Sequence, residues 1–121
     1  MIALVDYGAG NLTSVRKALA AVGAEVYTPG APGELAGAQG IIVPGVGHFD
    51  ATKRLDAPWR AAVRAQMAAG VPLLGICVGL QWLFEGSAEA PDVPGLGVFP
   101  GICRHLATTE KSPGTFPPSG K

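Results

Sequence analysis

A cysteine with a glycine two positions away on each side occurs once in this chain, in Gly75-Ile76-Cys77-Val78-Gly79-Leu80-Gln81, and that spacing suits covalent chemistry. In a G-x-[Ser/Cys]-x-G elbow the nucleophile occupies a strained turn between a strand and a helix. The two glycines let neighbouring backbone pass where a β-carbon would collide. Upstream, Val71-Pro72-Leu73-Leu74-Gly75-Ile76 is a short apolar run after Gly70; downstream, Leu80, Leu83 and Phe84 recur at helical spacing. Cys77 is therefore expected at a strand-to-helix junction as a catalytic nucleophile. There the first helical N–H groups and the positive end of the helix dipole favour the thiolate. Cys103, in Gly101-Ile102-Cys103-Arg104, has no such elbow and reads as a packing residue in a strand.

Two other glycine loops follow apolar runs. Pro44-Gly45-Val46-Gly47 comes after Ile41-Ile42-Val43, and two glycines around one residue let a peptide turn its N–H toward a point beside the next strand. That loop and the N–H of Val78 are the candidate donors of an oxyanion hole. Asp6-Tyr7-Gly8-Ala9-Gly10-Asn11 imitates a dinucleotide fingerprint, but Thr13 stands where its third glycine belongs and no acid follows the second strand. It reads as a turn passing near a site built by other strands, and no cofactor is expected.

These loops need a scaffold, and the apolar runs alternate with helical patterns as in a parallel sheet. Residues 2–5 form a first strand, followed by a helix marked by Leu12, Val15, Leu19 and Val22, with Asn11 as its cap and Gly23 at its end. Residues 25–28 form a second strand and Ile41 to Val43 a third, apolar on both faces. Trp59, Val63 and Met67 mark one stripe of a second helix over 58–69, and residues 73–76 lead into the elbow. The expected fold class is α/β, a doubly wound and mostly parallel sheet with its working loops beyond the carboxyl ends of the strands.

With 121 residues there is room for one domain. The 18 glycines and 11 prolines fit buried strands joined by tight turns. Nine basic and nine acidic residues give no net charge and no basic cluster, so nucleic acid is not an expected partner. Two distant cysteines and two histidines, His48 and His105, argue against a disulfide framework or a metal site. No apolar stretch approaches the roughly 18 residues of a membrane span and no basic leader precedes Asp6, so a cytoplasmic protein with reduced thiols is expected.

Taken together, the chain resembles class I glutamine amidotransferase domains, with a flavodoxin-like sheet. The similarity is carried by Asp6-Tyr7-Gly8-Ala9-Gly10-Asn11, Pro44-Gly45-Val46-Gly47-His48-Phe49, the elbow, Leu83-Phe84-Glu85-Gly86-Ser87 and Gly95-Leu96-Gly97-Val98-Phe99-Pro100-Gly101, over residues 1–106. Within that family it is most similar to the glutaminase subunits of imidazole glycerol phosphate synthases. The resemblance implies that Cys77 attacks the side-chain amide of L-glutamine, releasing ammonia, and that water hydrolyses the γ-glutamyl thioester. It implies Val78 and a reoriented peptide at Val46 as oxyanion donors, and Gly45, Gly47 and Gln81 at positions that hold glutamine. The implied partner is a (β/α)₈-barrel synthase (cyclase) subunit, which receives the ammonia through a channel. His48 follows the oxyanion loop and reads as a histidine held by loop hydrogen bonds.

The chain also departs from that family. Members continue with further sequence of comparable fold, including a histidine and a glutamate that complete the catalytic triad. Here residues 107–121 form a polar, proline-rich tail that is expected to be disordered, as a fragment or frameshifted end would be. Loss of the base alone costs a serine protease about 10⁶ in kcat, so this chain alone is expected to have little or no glutaminase activity. His105 does not match the family's histidine. A sheet built for cover on both faces is also expected to leave apolar surface open. Two alternatives stay open: another cysteine-elbow hydrolase or class I amidotransferase, and a noncatalytic module that keeps only a partner surface.

Overall fold

The computed structural model describes residues 1–106; the expectation for the tail lies outside them. Four short strands, β1 (Ile2–Leu4), β2 (Val26–Tyr27), β3 (Gly40–Val43) and β4 (Leu73–Gly75), form one parallel sheet in the order β2-β1-β3-β4. Ala3 faces Ile41 across one pair, and Val43 faces Gly75 across the next. Parallel neighbours need crossovers, which α1 (Leu12–Ala21) and α2 (Ala57–Ala68) supply. The chain steps from β1 to β2 in one direction and from β3 to β4 in the other. With right-handed crossovers the two helices therefore fall on opposite faces.

Alternation along each strand divides the side chains between those faces. Ala3, Val5, Ile41 and Val43 join Val63 of α2, Phe49, Leu55, Trp82 and Leu96 in one buried cluster, with Trp59 and Met67 packed against it. The expected stripe on α2 is thus the stripe that meets the sheet. Ile2, Ile42 and Leu74 belong to the other face, where they line an apolar hollow of about 420 Å³ with Leu19 of α1. That helix has no fully buried residue, and Leu74 is 55% exposed. The open apolar surface expected from the sequence is this face. Asn11 caps α1 as expected, its side-chain oxygen accepting from the Ser14 N–H at 3.2 Å, and Gly23 follows with φ +78°.

Three features differ from the sequence reading. The second strand keeps only two residues. Phe49–Arg54, to which the sequence pattern assigns no element, forms a 3₁₀ turn. After the elbow, α3 (Val78–Trp82) is only five residues long, and the chain then forms a two-stranded parallel pair, β5 (Gly86–Ser87) and β6 (Ile102–Cys103). Arg60 and Arg64 of α2 hold the intervening loop by donating to the carbonyls of Pro94, Gly95 and Leu96.

Candidate active site

Because β1, β3 and β4 are adjacent and parallel, the loops leaving their carboxyl ends meet along one edge of the sheet. They are the three glycine-bearing loops of the sequence. Gly10 of the first passes so close to the second that a β-carbon on it would lie 3.1 Å from the Gly45 nitrogen, and its φ of +111° suits glycine.

Cys77 stands at the turn between β4 and α3 with φ 54° and ψ −116°, the one positive φ on a non-glycine residue among those described. Such a conformation costs on the order of 1–3 kcal/mol and persists only where the surroundings impose it. Those surroundings are identifiable. A β-carbon on Gly75 would lie 2.7 Å from the Leu80 Cα and 2.8 Å from the Gly79 oxygen, and one on Gly79 would overlap the carbonyl of Val43. The Ile76 N–H donates to that same Val43 oxygen at 3.0 Å, and the Gly79 N–H donates to the Ile76 oxygen at 2.9 Å. The first turn of α3 is thereby wedged against the end of β3, and the cysteine is pushed outward, where it is exposed. With five residues α3 sums few peptide dipoles, so it offers little of a helix macrodipole at Cys77.

The Val78 N–H, expected to be an oxyanion donor, is engaged: it donates to the Gly45 carbonyl oxygen at 3.1 Å. The described peptides are all trans, so the Gly45–Val46 peptide turns its oxygen toward the elbow and the Val46 N–H away. Gly45 and Val78 are buried, Val46 is 55% exposed, and Gly47 has φ +95°. The structure thus brings the two expected donor segments into contact, in an arrangement with no oxyanion hole.

Gln81 lies on α3, one turn beyond Cys77, and lines a cleft of about 150 Å³ with Ser87, Glu89, Cys103, Arg104 and His105. Cys103 is half-buried in β6 as well as lining that cleft. Glu89 escaped the sequence reading, since Ala88-Glu89-Ala90 carries no motif; here its Oε1 accepts from the Phe49 N–H at 2.9 Å, tying the cleft to the turn after the oxyanion loop. His48 is exposed, and its Nδ1 accepts from the Asp50 N–H at 3.0 Å, a loop-holding role as expected. Asp50 pairs with Lys53 at 2.9 Å, which holds its carboxyl below the usual range. Among the described residues no group of three or more His, Cys, Asp or Glu is placed to hold a metal ion, and no helix is long and apolar enough to cross a membrane.

Residues 3–113 match the family model for class I glutamine amidotransferases. The chain belongs to the class I glutamine amidotransferase family. It is 50% identical over 107 residues to the imidazole glycerol phosphate synthase subunit HisH of Gloeobacter violaceus, covering 87% of this chain and 47% of that protein. With the subunit of the same name from Moorella thermoacetica it shares 48% over 114 residues, covering 93% and 54%. The corresponding subunit of Thermococcus kodakarensis is 50% identical over 101 residues, covering 84% and 49%. A solved structure titled as a glutamine amidotransferase superposes with a TM-score of 0.74 at 25% identity, over 92% of this chain and 60% of that one. The chain thus spans about half the length of the curated relatives it matches. The α/β fold and the family read from the motifs both hold.

Proposed function

We propose that this chain carries the nucleophile and both oxyanion donors of a glutaminase serving histidine biosynthesis. The observation that carries the reading is the strained, exposed Cys77, imposed by Gly75 and Gly79 in a family of glutamine amidotransferases. Sulfur attacks the glutamine side-chain carbonyl, ammonia leaves, and water then releases glutamate from the thioester. For the developing oxyanion to meet two donors, the Gly45–Val46 peptide must rotate. That single movement frees the Val78 N–H and presents the Val46 N–H. Gly45, Gly47 and Gln81 border the substrate. Glu89 and Arg104 put opposite charges in the adjoining cleft, the complement of an amino acid's ammonium and carboxylate.

The relatives' names point to imidazole glycerol phosphate synthase, and we assign the ammonia to a (β/α)₈-barrel synthase subunit in the cytoplasm. Passage through a channel keeps ammonia from being protonated in water. The sequence has only two histidines: His48 is committed to its own loop, and His105 does not match the family's catalytic histidine. The isolated chain therefore lacks a base to serve Cys77 and turns over glutamine slowly or not at all. A chloroketone analogue of glutamine tests the reading, with peptide mapping of the product. The reading requires modification of Cys77 in preference to Cys103; equal reaction of both thiols would refute it. Turnover by the purified chain near that of a full-length relative would refute its inactivity.

A further inference from the structure

Tyr7 is buried at 6% exposure, and its hydroxyl donates to the Pro44 carbonyl oxygen at 2.5 Å, joining the loop after β1 to the loop after β3. The same hydroxyl oxygen occupies the place a β-carbon on Gly45 would take. Gly45 is not among the glycines with positive φ, so it is needed here for room rather than for handedness. Behind the tyrosine, Arg54 donates to the Tyr7 carbonyl oxygen at 3.2 Å, and a β-carbon on Gly8 would lie 2.8 Å from that guanidinium. Three consecutive contacts therefore run from the 3₁₀ turn to the elbow: Arg54 to Tyr7, Tyr7 to Pro44, and Gly45 to Val78.

We propose that Tyr7 is a positioning residue for the oxyanion hole, its hydroxyl fixing the Pro44–Gly45 peptide so that only the Gly45–Val46 peptide turns when the hole forms. The inference rests on the glutaminase reading above. Rotating one peptide through about half a turn while its neighbours stay in place needs ψ of Gly45 and φ of Val46 to change in opposite senses. That geometry holds only if the preceding peptide plane is anchored. Pro44 is fully buried, so its carbonyl has no water to turn to, and the phenol supplies the anchor. Burial pushes the Tyr7 hydroxyl up to about 12, so it remains a donor at neutral and mildly alkaline pH. With the anchor removed, the loop can swivel as a whole, and the Val46 N–H reaches the oxyanion misplaced.

Two alkylating agents separate this role from simple support of the fold. A chloroketone analogue of glutamine is first attacked at its ketone to an oxyanionic thiohemiketal. The ketone re-forms as sulfur takes the chloromethyl carbon and chloride leaves. Iodoacetamide is displaced directly at carbon and forms no oxyanion. In the 121-residue chain, Tyr7→Phe should lower the chloroketone rate at Cys77 about tenfold or more while leaving the iodoacetamide rate unchanged. Replacing Tyr7 by p-aminophenylalanine, which keeps a donor at the same point, should restore the chloroketone rate. An equal fall with both agents, or no fall with either, would overturn the proposal while the wild-type preference of the chloroketone for Cys77 left the glutaminase reading intact. Wild-type chain in which the chloroketone shows no such preference would overturn both.

Discussion

The carbonyl oxygen of Val43 lies where a β-carbon on Gly79 would be, so the end of β3 and the first turn of α3 approach as closely as two backbones can. Neither partner is a side chain able to swing aside. Gly79→Ala should therefore cost about 3 kcal/mol, at the upper end of overpacking effects, and lower the urea midpoint of unfolding. Gly33 is the control. A β-carbon there would meet no neighbouring atom within 4 Å, and Gly33 is not among the positive-φ glycines, so Gly33→Ala should be neutral or slightly stabilising.

Strain at Cys77 gives a second expectation. Cys77→Gly removes the thiol and the steric cost of φ 54° together. The variant should be about 1 kcal/mol more stable than the parent chain while losing all reaction at position 77. Lower stability in urea titration would show that the turn is relaxed and that no strain is stored there.

On the open sheet face, Leu74 is 55% exposed beside Ile2, Ile42 and Leu19. Leu74→Lys should leave the unfolding free energy within about 0.5 kcal/mol and reduce self-association in sedimentation velocity. A large loss of stability would mean that the face is covered in solution.

Alkaline titration tests the surroundings of Tyr7. Its hydroxyl is raised from 10.0 to about 12 by burial, so between those values the folded chain holds a proton that the unfolded chain releases. The resulting contribution is fully present below pH 10 and is lost as pH rises toward about 12. Tyr7→Phe should abolish that part of the alkaline fall in stability, read from urea midpoints across the range. An unchanged slope would show the phenol to be solvated.

The sequence made the elbow legible because its requirements are local: a strand, a helix and two glycines at fixed offsets from Cys77. The stripe Trp59, Val63 and Met67 was legible for the same reason, since period alone defines it. Long-range relationships were not. The Tyr7 to Pro44 bond spans 37 positions and depends on β1 and β3 being neighbours in register. The β5 and β6 pair consists of two-residue strands, too short to carry a period. Glu89 gains meaning only when the fold sets it beside Gln81 and Phe49. The engaged Val78 N–H was hidden for a different reason, since sequence names the donors of a hole but not which way an intervening peptide faces.

Competition at Cys77 tests the central claim most directly. The rate of its modification by the chloroketone analogue would be followed by mass spectrometry with rising L-glutamine, and separately with D-glutamine. A site built around Cys77 for the natural amide predicts saturable modification that L-glutamine suppresses and D-glutamine does not. Modification that is linear in reagent and indifferent to both would contradict it.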